Sequence, residues 1–191
     1  MDRRDFFRRG FGKATEAVVK VADKRVSERA KNWIRPPYAI PELDFLLACT
    51  RCNACIESCP HGVIFPLSAR LGADVVNTPA LDLLSKGCHL CEDWPCVKAC
   101  EPKALVFTEV NENGEVSLPK LALAAINTNT CLPYSGPECG ACESVCPADG
   151  ALVFEQEKPS IHIEYCVGCG LCREACIVEE KAINISSFSF D

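Results

Sequence analysis

Residues 49–60 read CTRCNACIESCP, so that Cys49, Cys52, Cys55 and Cys59 are followed by Pro60. In a C-x2-C-x2-C-x3-C-P run the first three thiolates hold one iron–sulfur cluster and the fourth reaches a second. Geometry supplies the reason. Ligands two residues apart wrap a tight loop around one cubane and turn backbone N–H groups toward its sulfurs, while the fourth cysteine, a helical turn further on, points elsewhere. The run therefore demands a companion.

Three companions follow. Cys88, Cys91, Cys96 and Cys100 repeat the pattern with the middle gap widened by Glu92, Asp93, Trp94 and Pro95. Cys131, Cys139, Cys142 and Cys146 repeat it with the first gap stretched, and Cys166, Cys169, Cys172 and Cys176 return to the compact spacing. These sixteen are every cysteine in the chain, so none is left for a disulfide or a nucleophile. A secreted disulfide framework has irregular spacings in a short chain rather than four quartets. Three cysteines within seven residues also crowd a single tetrahedral zinc ion. The expected cofactors are four [4Fe–4S] clusters on the sixteen sulfurs.

The clusters themselves fill much of such an interior, so a chain with only 7% aromatic residues needs no large aromatic core. Folding and cluster binding are then one event. The net charge of −6 hides an asymmetry: residues 1–35 carry eleven Lys and Arg against five acids, and residues 36–191 carry nine against twenty-one. A basic leader over 1–35 thus precedes an acidic domain over 36–191. Each four-thiolate cluster adds about −2 in its oxidised form, and an acidic face steers docking toward basic partners or serves plain solubility.

The leader opens MDRRDFFRRGFG, similar to a twin-arginine export signal in Arg3, Arg4, Phe6 and Phe7. A working signal needs an apolar stretch after its charges. Lys13, Glu16, Lys20, Asp23 and Lys24 interrupt that stretch, so the expected location is cytoplasmic, with periplasmic export as the alternative. Ala14, Ala17, Val18, Val21, Ala22, Ala30 and Trp33 recur at helical spacing, which predicts an amphipathic helix. It docks on the protein itself, on a partner, or peripherally on a membrane surface. No apolar run is long enough to span a bilayer. Arg35-Pro36-Pro37 stops the helix, and Leu43, Phe45, Leu46 and Leu47 are candidates to shield the first cluster.

After each quartet the same chemistry returns: Gly62-Val63-Ile64-Phe65, Ala104-Leu105-Val106-Phe107, Ala151-Leu152-Val153-Phe154 and Ala182-Ile183-Asn184-Ile185. Such self-similarity marks an internal repeat of loop, short helix and short strand. Two units make one two-cluster module, so the fold expected is α+β, two ferredoxin-like modules of short helices, short strands and long loops. Asn113-Gly114 predicts a hairpin between Val106 and Ile126, and Ile161 to Tyr165 alternates as a strand entering a cluster loop. The looser stretch between Cys59 and Cys88 is expected to cover a cluster or contact a partner.

On these motifs the chain resembles the MauM/NapG family of ferredoxin-type proteins. The residues that carry the resemblance are Arg35-Pro36-Pro37, the run from Cys88 to Cys96, CLPYSGPECGAC from Cys131 to Cys142, and CVGCGLCREACIVEEKAI from Cys166. The resemblance implies an electron carrier between a membrane quinol-oxidising protein and a terminal oxidoreductase. Residues 36–59 are also similar to NapF-type proteins, which implies a cytoplasmic accessory in molybdoenzyme maturation as the alternative. By resemblance to four-cluster electron-transfer subunits, motif one pairs with four and motif two with three. The quartets would then be Cys49, Cys52, Cys55 with Cys176; Cys166, Cys169, Cys172 with Cys59; Cys88, Cys91, Cys96 with Cys146; and Cys131, Cys139, Cys142 with Cys100. Tandem pairing of one with two and three with four stays open.

Substrate chemistry finds no support. His61, His89 and His162 are scattered without an acid–base partner; His89, inside a cluster loop, reads as a simple exposed side chain, with tuning of a cluster through hydrogen bonding as the alternative. Gly168 and Gly170 form no phosphate loop and instead let the backbone approach a cluster. Basic residues form no nucleic-acid face. The expectation is a non-enzymatic electron-transfer protein with redox-protein partners.

Overall fold

The computed structural model describes residues 21–107 and 117–188. A helix over 21–30, α1, leads into Trp33 and the Pro36-Pro37 break. Its docking is on the protein itself: Arg29 bonds Asp74 at 2.5 Å and the Leu71 carbonyl at 2.6 Å. Trp33 is buried with Leu67, Val75 and Ala80, and Ala30 packs against them. Val21, expected on the apolar face, is exposed, while Ala14, Ala17, Val18 and the twin arginines lie outside the described residues. Trp33 and Arg35 thus pack against residues that follow them in the chain.

Helix α2, Glu42–Ala48, starts behind Pro41 with Glu42 and Asp44 in its first turn, where acidic side chains meet the positive end of the helix dipole. It ends as Cys49 turns extended. Only Phe45 faces fully inward; Leu46 packs toward Trp33 and Leu47 is 79% exposed. The shielding expected of four apolar residues thus falls to one. Single-turn helices α3 (Ala54–Glu57), α4 (Pro95–Lys98) and α5 (Leu132–Ser135) sit in the first three motifs, and α6 (Leu171–Ala175) sits in the fourth. Pro95 opens α4 where its missing N–H costs nothing.

The strands form three antiparallel pairs. β1 (Ile64–Pro66) pairs with β2 (Pro79–Leu81), β3 (Leu123–Ile126) with β6 (Ile183–Ser186), and β4 (Leu152–Glu155) with β5 (Lys158–Ile161). Two pairings matter most for the site. β3 and β6 run in register from Leu123↔Ser186 to Ile126↔Ile183, so the segment before motif three closes on the segment after motif four. In the first half residues 38–40 play the same part against 104–106: Val106 N–H donates to Tyr38 at 2.8 Å and Ile40 N–H to Ala104 at 3.1 Å, around an Ala39↔Leu105 bridge. Each half is closed by its own flanking segments. The stretch Ala104 to Phe107 is therefore a single bridge rather than a strand.

One other expectation changes. The strand predicted through Tyr165 stops at Ile161, and 163–165 form a turn in which Cys166 N–H donates back to His162 at 2.9 Å. Lys120 holds this turn by donating to the carbonyls of Ile163, Glu164 and Cys166 at 2.8–2.9 Å. β4 and β5 meet at Gln156-Glu157, both at positive φ (50° and 65°), the mirror-image turn that matches strand twist. The hairpin predicted at Asn113-Gly114 lies outside the described residues. The stretch between Cys59 and Cys88 forms β1, β2 and the lid over Trp33, with Thr78 fully buried.

Candidate metal centres

Local backbone shapes three of the cysteine loops alike. The residue two after the first cysteine and the residue two before the third both take left-handed φ: Arg51 and Asn53 in motif one, Leu90 and Trp94 in motif two, Gly168 and Gly170 in motif four. Consecutive turns of this kind aim N–H groups into one concavity, a setting for an anionic cluster. Glycine tolerates the conformation, whereas Leu90 and Trp94 hold it against their side chains. Motif three differs, because its stretched gap is taken up by α5.

The long-range closures decide which fourth cysteine joins each loop. Cys49, Cys52, Cys55 and Cys100 ring a small space floored by Phe45, Ala104 and Leu105. Cys59, Cys88, Cys91 and Cys96 ring another beside Val63, Ile64 and Trp94. Cys146, Cys166, Cys169 and Cys172 ring a third beside Ala124, Ala151 and Ile161. Cys131, Cys139 and Cys176 lie near enough to Cys142 to add to the rise that burial gives its thiol pKa, and these four make the fourth set. In the structure the sulfurs that share a space come from motifs one and two or from motifs three and four, which is the tandem alternative rather than the pairing of one with four and two with three. The reason is the closure just described, which folds each half back on itself before the other half is reached.

These sites fit a four-iron cubane. All sixteen cysteines are free thiols. Among the described residues no group of three or more His, Cys, Asp or Glu is placed to hold a metal ion; the sulfurs stand around a space instead. The walls are aliphatic, so burial pushes the thiols of Cys88, Cys96 and Cys172 up to about 12, and those of Cys55, Cys142 and Cys169 up to about 11. A buried thiolate set of this kind needs iron to compensate its charge, and loading must expel protons.

Several residues act differently from expectation. His89 stacks flat on His61, ring centroids 3.6 Å apart and 8° from parallel, at the rim of the second site. Gly168 makes its close approach to a strand: a Cβ there would lie 1.9 Å from the Ala122 carbonyl oxygen. Sequence reasoning also missed a support beneath the first site. Arg35 grips Glu42 with two bonds of 2.9 and 2.5 Å, donates to Thr78 Oγ1 at 2.9 Å and the Pro79 carbonyl at 2.7 Å, and lies over the Phe45 ring. A buried arginine beside a proline pair carries no spacing signal.

Comparison with known proteins agrees with this chemistry. A 4Fe-4S dicluster domain family matches residues 123–177, and a 4Fe-4S binding domain family matches residues 47–65. Among curated proteins, the methylamine utilization ferredoxin-type protein MauM of Paracoccus denitrificans is 32% identical, with 91% of this chain and 78% of that protein aligned. The ferredoxin-type protein NapG of Haemophilus influenzae is 34% identical over 80% of this chain, which spans only 58% of that relative's length. The ferredoxin-type protein NapF of Escherichia coli is 28% identical over 155 residues. The cofactor is the [4Fe–4S] cluster, and sixteen cysteines support four of them. The chain is a member of the MauM/NapG family of ferredoxin-type proteins.

Proposed function

We propose that this protein relays single electrons between two redox proteins through four [4Fe–4S] clusters arranged as two two-cluster modules. The observation that carries the reading is the gathering of the sulfurs into four sets, three of them at the wall of a space lined by short aliphatics. When bound, each cluster supplies one reversible electron. The protein's part is to hold the sulfurs, exclude water with Phe45, Ile64 and Ile161, and aim N–H groups inward from the left-handed loop residues. The partners proposed for this chain, from its resemblance to that family, are a membrane quinol-oxidising donor and a terminal oxidoreductase as acceptor. No helix among the described residues is long and apolar enough to cross a membrane. The location proposed is cytoplasmic, since charges interrupt the stretch after Arg9; fractionation with a check for N-terminal cleavage tests it.

Anaerobic purification followed by reductive titration and electron paramagnetic resonance tests the carrier reading. Sixteen irons per chain and four reducible centres between about −700 and +450 mV are expected. Zinc in place of iron, or no reducible centre, rejects it. The ligand sets have their own test: Cys49→Ser and Cys100→Ser should each disturb the same cluster, so the double variant loses no more iron than either single one. Additive losses would favour the nested pairing. Similarity to NapF favours a second reading, an accessory in enzyme maturation. It predicts stable binding to a metal-free oxidoreductase and full activity of the mature components without this chain.

A further inference from the structure

Resting on the electron-carrier reading, we propose that the hydrogen bond between Cys88 and Cys169 is the junction through which electrons cross between the two halves, and that it orders the four sites in one line. The Cys88 N–H donates to the Cys169 carbonyl at 2.7 Å. The two residues belong to different sulfur sets, one in each half. From sulfur to sulfur the connection is two short side chains, their backbone, and one hydrogen bond. Inside each half the motifs also pack on one another: α3, which carries Cys55, lies against α4, which carries Cys96, and α6, which carries Cys172, lies against the turn Glu143–Val145 that follows Cys142. The order is therefore the Cys49/Cys52/Cys55/Cys100 site, the Cys59/Cys88/Cys91/Cys96 site, the Cys146/Cys166/Cys169/Cys172 site, and the Cys131/Cys139/Cys142/Cys176 site.

The junction is built, not incidental. Gly87 N–H donates to Glu174 Oε2 at 2.7 Å, and Arg173 Nε donates to the Leu84 carbonyl at 3.0 Å, so both neighbours of the bridge are clamped across the halves. Gly87 is buried, and a Cβ there would stand 2.8 Å from the Leu171 backbone nitrogen and Cα. Opposite, a Cβ on Gly170 would come within 3.2 Å of the Leu83 carbonyl. Backbone meets backbone on both sides, which is the approach that glycine alone permits. At the far ends of the line Cys52 is exposed, and Leu47 and Ile177, near Cys49 and Cys176 in the chain, are 79% and 69% exposed. An electron leaves a one-electron donor protein at one end and reduces an acceptor protein at the other; no bond or proton changes place.

The test uses the full chain loaded anaerobically with iron and sulfide, reduced with dithionite, and read by electron paramagnetic resonance. Gly87→Ala forces the two backbones apart, and Glu174→Ala removes the clamp without adding an atom. With iron content and total spin retained, both variants should lose magnetic interaction across the junction, and the reduced spectrum should resolve toward two separately interacting pairs. If Gly87→Ala fails to keep its iron, Glu174→Ala decides. Unchanged interaction in an iron-replete variant overturns the junction alone, whereas an unmodified chain that binds no iron or cannot be reduced overturns the carrier reading itself.

Discussion

Replacing Arg35 by Met removes a charge while keeping most of the side-chain length, and the surroundings set the cost. Arg35 and Glu42 are 10% and 8% exposed, so the substitution leaves a buried carboxylate with only Trp33 Nε1 to bond it, at 3.2 Å. Breaking one side of a buried ion pair costs about 3–5 kcal/mol. The guanidinium also sits 4.5 Å from the Phe45 ring centre, a contact worth about 0.5–2 kcal/mol. At ~2–4 °C per kcal/mol for a chain of this size, the midpoint of cluster loss should fall by roughly 7–28 °C. Anaerobic heating at a fixed rate, followed by the sulfide-to-iron absorption, measures it, because cluster loss is irreversible and must be compared as a rate process. Phe45 and Pro79 line the first site, so that cluster should be lost before the others. Adding Glu42→Leu to Arg35→Met removes the stranded charge and should recover most of the loss, as neighbouring groups are not additive. An unchanged midpoint in Arg35→Met, or a double variant as weak as the sum of the single ones, would refute the reasoning.

Other perturbations have defined outcomes. Gly168→Ala combines a left-handed alanine, about 1–2 kcal/mol, with backbone overlap on Ala122, about 1–3 kcal/mol more; Gly150→Ala, left-handed but 3.8 Å from its nearest neighbour, should cost only the first. Equal losses of thermal stability would show that the approach to β3 is slack. The Arg29 guanidinium bonded to Asp74 holds that carboxyl below the usual carboxylate range. A depressed carboxylate stabilises the fold above its ordinary pKa of about 3.9 and loses that contribution as pH falls through the lowered value. Arg29→Ala should therefore weaken the protein at neutral pH, by at most about 1 kcal/mol for so exposed a pair, and the difference should vanish in acid; a pH series of urea midpoints checks it. Stripping iron with a chelator should abolish native circular dichroism, since binding and folding are coupled; retained ellipticity would contradict this.

Spacing is local information, and it set the cysteine loops and the short apolar runs that follow them. The three cysteines of each compact loop must share a cluster because no other chain segment intervenes, and the aliphatic follower of each motif must pack on it; Ile64, Ala104, Ala151 and Ala182 are all buried. Features that depend on a distant partner escaped. Leu47 has the same chemistry as Phe45, and only the packing of α2 against residues 79–105 sends one inward and the other to water. Gln156-Glu157 carries no turn signature, yet the register of β4 with β5 forces it into the mirror-image turn.

From its residue order alone, this chain was committed to four cysteine quartets, a repeat of short helices and short strands, and iron–sulfur chemistry, because ligand type and short-range spacing decide what a loop can wrap. Which fourth cysteine completes each set was left to the tertiary structure. Loop-closure cost changes by only about 0.6 kcal/mol for each doubling of length, so nested and tandem pairings are nearly equal by chain length. The pairing of residues 38–40 with 104–106, and of β3 with β6, breaks that tie by closing each half on itself, and the contact of Cys88 with Cys169 then joins the halves.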